Sequence, residues 1–270
     1  MPYLPLKNLV NEVFDMKLSV SERRQALENR FPEWPRDTIS RHFEKACQEY
    51  RNRPYLYIDG EEFTFEQIWN QGVQYAKALL KLGVKRRDHV AILMNNHYTF
   101  PSLMVASSIV GAVFIPINAM LTKNEVKYIV SQSDSQFLIL HQSVKDKNHA
   151  QAVSELLDDE DFMSNSKLKK VICVPTEENA AVDERFILWD EFLALANEGS
   201  DEQLEERWKE SKYPDEVAII MYTSGSTGSP KGVMLTDDML LRSAYSTCLS
   251  RAIEDGRVTF APLPFYHCFA

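Results

Sequence analysis

The residues best suited to chemistry lie together at positions 222–232, YTSGSTGSPKG. Thr223, Ser224, Ser226, Thr227 and Ser229 surround Gly225 and Gly228, and Pro230 and Lys231 close the run. The glycines let successive backbone N–H groups turn inward and let a ligand come close. The hydroxyls are neutral donors that rotate to suit, and Lys231 brings one mobile positive charge. Together they make a cradle for phosphate. A Gly/Ser linker has a similar composition. Here, however, the run stands between two apolar stretches, Val217–Tyr222 and Gly232–Leu235, rather than between domains. Val217–Tyr222 reads as a buried strand, so the loop leaves a strand's carboxyl end, where open α/β sheets bind ligands.

The ordinary P-loop is GxxxxGK followed by Ser or Thr, with a helix starting at the Lys. In this chain Pro230 precedes Lys231, and GVML (232–235) suits a strand. The first good helix start is Thr236, with Asp237 and Asp238 in the opening turn. The expected order is therefore strand, loop, strand, helix. A P-loop NTPase would instead place a helix at Gly232. The second residue of interest is His267, in PLPFYHCFA. Taken alone, a single His behind aromatics reads as a core or capping residue.

The elements that must position these groups read as α/β. Thr38–Tyr50 suits a helix, and YLYIDGEEFTF suits a hairpin turning at Asp59-Gly60. Thr64 and Gln67 form a capping box. Trp69, Val73, Ala76 and Leu80 follow at helical spacing, and Gly83 suits the C-terminal cap. HVAILM (89–94), AVFIPI (112–117) and FLIL (137–140) read as buried strands, with helices over 99–110 and Lys123–Ser131. This alternation predicts a mainly parallel sheet covered on both faces. The acid-rich stretch Ser154–Glu216 reads as solvated helix faces and loops.

Composition narrows the function. The chain has 270 residues, 44% of them apolar, and a net charge of −9. That charge argues against a nucleic-acid partner and a polybasic membrane anchor. Ala91–Thr122 carries no Asp, Glu, Lys or Arg. Its prolines, asparagines and Gly111 break it into pieces too short for a transmembrane segment. Cys47, Cys173, Cys248 and Cys268 are scattered, which suggests neither zinc nor disulfides and suits a reducing cytoplasm. The N-terminus has no secretory signal pattern.

TSGSTGSPKG resembles the phosphate-binding signature of the adenylate-forming enzymes: acyl-CoA synthetases, luciferases and peptide-synthetase adenylation domains. Three further segments resemble the family's blocks, in the family's order: FTFEQIWNQGVQYAKALLKLGVKRRDHVAIL, SSIVGAVFIPIN and PLPFYHCFA. The resemblance covers about residues 37–270. It implies the layered α/β/α subdomains of the family's large N-terminal domain, truncated here. Residues 1–36 would be an N-terminal extension, and the C-terminal domain would be absent.

The resemblance also implies a reaction. A carboxylic acid attacks the α-phosphate of ATP with Mg2+, giving an acyl-adenylate, and coenzyme A then takes the acyl group. By motif, Thr223, Ser224, Gly225, Ser226, Thr227, Gly228 and Lys231 meet the ATP phosphates, Thr227 lies near the magnesium, and His267 lies on the acid side. NAMLTKNEVKYIVSQSDSQFLI (118–139) resembles the CoA ligases more than the peptide-synthetase domains. Where the family often has His or Ser and then Asn after GVMLT, this chain has Asp237-Asp238, read as cap residues turned away from the phosphates. The reading is a ligase fragment inactive alone. Its alternatives are an adenylating enzyme with another acceptor and a non-catalytic nucleotide-binding or interaction module.

Overall fold

The computed structural model describes residues 18–30, 33–176, 182–211, 213–223 and 229–267. Two compact units divide them. The larger takes Asp37–Asp237 with the stretch from Leu263; the smaller takes the described residues up to Arg36 with Asp238–Pro262.

The larger unit begins with α2 (Ile39–Tyr50), which follows α1 (Val20–Arg30) of the smaller unit. Next come β1 (Pro54–Ile58) and β2 (Glu61–Thr64), an antiparallel pair in which Ile58 faces Glu61. Asp59 and Gly60 between them have φ of 52° and 83°. Two left-handed residues in a two-residue turn match the twist of the strands, as Asp-Gly foretold. Thr64 and Gln67 close the expected capping box on α3 (Phe65–Leu82), and Gly83 ends that helix at φ 98°.

The buried stripe of α3 differs from the expected one. It runs through Ile68, Gly72, Tyr75, Ala76 and Leu79, whereas Trp69 and Leu80 are only half-buried. Trp69 instead sets its ring 5.5 Å from that of Trp208. Gly72, not Trp69, faces Val105 of the neighbouring helix and allows it to approach.

The central sheet has seven strands. After α3 the chain forms β3 (His89–Leu93), α4 (Thr99–Val110), β4 (Val113–Ile117), α5 (Lys123–Gln132) and β5 (Phe137–His141). A two-residue pair, β6 (Ser143–Val144) with β7 (Lys147–Asn148), leads into α6 (His149–Leu157) and α7 (Glu160–Asn165). Then come β8 (Lys170–Val174), β9 (Ile187–Leu188), α8 (Trp189–Leu195), α9 (Asp201–Glu210), β10 (Val217–Thr223) and β11 (Lys231–Thr236). The strand order is β11-β10-β4-β3-β5-β8-β9. Every pairing is parallel except β10 with β11.

Alternate residues of a strand face opposite sides. Ala91, Leu93, Ile115, Leu138, Leu140 and Cys173 join one core with Val126 and Ile129 of α5, Val153 of α6 and Phe162 of α7. The opposite residues Val90, Ile92, Phe114, Ile139 and Ile172 are equally buried. On that side Phe114 meets Phe100 of α4 edge to face, ring centres 5.3 Å apart. The uncharged stretch 91–122 is thus core. Among the described residues no helix is long and apolar enough to cross a membrane.

The acid-rich stretch departs from expectation in one respect. α9 does expose most of its surface, burying only Leu204. Yet β8 lies within the same stretch, with Val171–Val174 fully inside, and Phe162, Trp189 and Phe192 are buried too. Acids flanking these residues dominate the local composition and hide a short buried strand.

Gly72 tests the α3–α4 packing. Ala is normally better than Gly inside a helix by roughly 1 kcal/mol. Here its Cβ would stand 2.8 Å from Cγ1 of Val105. Gly72→Ala should therefore destabilise the chain by about 1–3 kcal/mol in urea denaturation, and adding Val105→Ala should relieve the loss. A Gly72→Ala chain at least as stable as the parent would contradict this packing.

Candidate active site

β10 and β11 form an antiparallel hairpin in which Thr223 is opposite Lys231. These two residues close the loop, and both are exposed at its base. Because β10 runs parallel to β4, the loop opens at the edge where β3, β4, β5 and β8 also end. Ser224, Gly225, Ser226, Thr227 and Gly228 lie outside the described residues. The strand at Lys231–Thr236 removes the P-loop reading, since no helix begins at Gly232.

Several contacts fix the loop's base. Tyr128 of α5 donates its hydroxyl hydrogen to the Pro230 carbonyl at 3.1 Å. Tyr222 donates to Oε1 of Gln132, one helical turn further along α5. Gly232 has a steric reason to be glycine: a Cβ there would come within 2.8 Å of Ile220 and 3.2 Å of the Tyr222 ring.

His267 ends a turn in which its N–H donates to the Pro264 carbonyl at 2.9 Å, and its side chain is exposed. The turn is attached to the sheet edge by a residue that sequence reasoning missed. Asn96, just beyond β3, donates from Nδ2 to the Leu263 carbonyl at 3.0 Å and accepts from the Phe265 N–H at 2.7 Å. Tyr266 packs against the core, and the Phe265 ring lies 5.7 Å from Phe100. The polar break Asn95-Asn96 after an apolar strand marked a loop, but nothing local named a partner 169 positions away.

Residues 43–270 match the family described as AMP-binding enzyme. The chain belongs to this family. It is 27% identical over 209 residues to 2-succinylbenzoate–CoA ligase of Oceanobacillus iheyensis, covering 77% of this chain and 36% of that protein. It is 28% identical over 226 residues to long-chain-fatty-acid–CoA ligase ACSBG2 of Mus musculus, covering 82% and 32%. Among solved structures, a long-chain-fatty-acid–CoA ligase (FadD1) from Archaeoglobus fulgidus superposes with a TM-score of 0.67 at 20% identity, over 87% of this chain and 44% of that one. The fold is thus that of the family's layered α/β N-terminal domain. The chain spans less than half the length of these relatives.

A group of histidines occupies the same sheet edge in this family member. His97 meets His141 edge to face, ring centres 5.1 Å apart. Burial first, then the neighbouring His97 and His149, pushes His141 down to about 4. Burial also lowers His97 and His149. Burial thus disfavours the charged form of all three rings. Among the described residues, no three His, Cys, Asp or Glu side chains gather as a metal site.

Asp237 and Asp238 each have partners of their own. α10 (Asp237–Arg251) starts one residue after Thr236. Within the smaller unit, Asp238 accepts from Trp34 Nε1 at 2.8 Å and pairs with Arg242 at 2.7 Å. Asp237 is 6% exposed and accepts from the Ile39 N–H at 3.0 Å, at the start of α2. Burial raises its carboxyl to about 6, against the lowering by the Ile39 bond and with a further push from Asp37.

This raised value predicts a pH dependence. An unfolded Asp titrates near 3.9, whereas the folded one holds its proton to about 6. Between these values the folded chain binds more protons, so this group lowers stability as pH rises from about 4 to about 6. Asp237→Asn keeps an oxygen for Ile39 and carries no charge. Measured by urea denaturation, its stability relative to the parent should rise by on the order of 2–3 kcal/mol between pH 4 and pH 7. A pH-independent difference would contradict the raised value.

Proposed function

We propose that this chain is the phosphate- and acid-binding portion of an ATP-dependent carboxylic acid–CoA ligase that works through an acyl-adenylate. The observation that carries the reading is the hairpin Thr223–Lys231. Its paired strands bring both ends of the TSGSTGSPKG run to the carboxyl edge of a parallel sheet, in a chain of the AMP-binding family. The two relatives named above are CoA ligases for different acids. They support the reaction class and leave the acid open among fatty and aromatic types.

In the proposed reaction a carboxylate oxygen bonds to the α-phosphorus, the bond to the bridging oxygen breaks, and pyrophosphate leaves. The thiol of coenzyme A then attacks the acyl carbon, AMP leaves, and the thiol proton passes to solvent. The difficulty in the first step is charge, on the crowded phosphorus and on the departing pyrophosphate. Fixed donors aimed at that charge lower the barrier most. Thr223, Ser224, Ser226 and Thr227 would supply hydroxyls, Gly225 and Gly228 would expose backbone N–H groups, and Lys231 would supply the positive charge. Magnesium would enter with ATP, held mainly by phosphate oxygens, with Thr227 beside it. A Mg2+ ion commonly takes only one or two protein oxygens in such sites, which suits a hydroxyl-rich loop. His267 would face the incoming carboxylate.

The chain spans about a third of either ligase relative. We therefore expect it to need further protein surface to finish the cycle. Given MgATP, coenzyme A and a panel of carboxylic acids, the 270 residues alone should release no acid-dependent AMP; steady release would contradict this. In an enzyme completed to its relatives' length, Lys231→Ala and Thr227→Ala should each slow acid-dependent ATP–pyrophosphate exchange by roughly 100- to 1000-fold. Thioester formation from pre-made acyl-adenylate should suffer less, because pyrophosphate is already gone. Equal losses in both steps would indicate damaged folding, and normal exchange would show that the loop does not hold phosphate.

A further inference from the structure

We propose that Asn96 is a positioning residue for the acid side of the site: it fixes the register of Leu263–His267 against the carboxyl end of β3, and so sets where His267 stands. The inference rests on the proposed role of His267.

The geometry is specific. The Asn96 amide uses both of its functions on one short stretch of backbone, donating to the Leu263 carbonyl at 3.0 Å and accepting from the Phe265 N–H at 2.7 Å. This is the donor–acceptor pair that a neighbouring strand would offer, supplied by a side chain. Among side chains, the amide of Asn or Gln carries a donor and an acceptor fixed in one plane, and Gln would overreach by one methylene. Apolar contacts attach the segment as well. Phe265 meets Phe100, which meets Phe114 of β4, and Tyr266 packs on the core.

Apolar packing is non-directional. It would hold Pro264, Phe265 or Tyr266 against the sheet with little preference among them. A slip of one residue would turn His267 to another side. The amide pair removes that freedom because only one residue of the segment can place its N–H opposite Oδ1. His267 follows two residues later, at the end of the turn closed by its own N–H on the Pro264 carbonyl. Asn96 therefore fixes the first half of a five-residue unit, and the turn carries the constraint to the imidazole.

The test uses the 270-residue chain with labelled histidine, octanoate and benzoate as probe acids, and inorganic pyrophosphate as the probe for the phosphate side. Three quantities are read: Phe265 amide exchange, the His267 ring resonance during acid titration, and pyrophosphate affinity. In Asn96→Ala, Phe265 exchange should quicken about tenfold, as for loss of a net hydrogen bond. The acid concentration giving half the His267 shift should rise by a similar factor, and pyrophosphate affinity should stay unchanged. Asn96→Asp keeps an acceptor for Phe265 and should retain most of the protection, which separates the clamp from a general loss of folding. Unchanged Phe265 exchange in Asn96→Ala would overturn the proposal, as would equal losses of acid and pyrophosphate binding. If His267 of the parent chain responds to neither acid while exchange quickens as expected, the clamp stands and the acid-side role of His267 falls.

Discussion

The pairing of Thr223 with Lys231 is the constraint on which the proposed chemistry depends. A loop rich in Gly and Ser has many conformations, and ordering each residue costs about 1–2 kcal/mol. Closing the loop with a strand pair removes part of that cost before any ligand arrives. The parallel sheet makes the closure firm: β10 lies between β11 and β4, and its Ile219 and Ile220 are buried. At Gly232 the two strands pack so closely that a Cβ would stand 2.8 Å from Ile220.

The same sheet edge organises the proposed acid side by different means. The segment carrying His267 has no strand of its own to pair with, among the described residues. It is held by the Asn96 amide and by a row of aromatic rings running down to β4. One half of the proposed site is thus built on backbone pairing and the other on a side chain imitating it. Both segments are anchored at the edge where β3 and β10 end. That edge also gathers His97 and His141, where burial disfavours the charged ring.

Much of this arrangement was legible in the residues because local rules governed it. Asp59-Gly60 demanded a tight turn, Thr64 with Gln67 capped a helix, and the Pro-Lys-Gly ending marked a strand rather than a P-loop helix. The TSGSTGSPKG run and its neighbouring blocks then pointed to the family. Other features depended on tertiary contacts that no window contains. The buried face of α3 follows Gly72 and its partner Val105 rather than the bulky Trp69, so it lies one residue from the expected stripe. β8 was masked by acids that belong to the surfaces around it. Asn96 looked like a loop breaker because its partners come 167 and 169 positions later. Asp237 looked like a helix cap, yet its burial comes from contact with the start of α2.

The central claim, that the loop between Thr223 and Lys231 holds the phosphates of ATP, is open to one direct measurement. An ATP analogue with a lysine-reactive acyl group on its terminal phosphate would transfer that group to the amine nearest the bound phosphates, and peptide mass spectrometry would locate it. Preferential labelling of Lys231, abolished by excess MgATP, is the expected result. Labelling spread over surface lysines without protection by MgATP, or concentrated on a lysine remote from the loop, would contradict it.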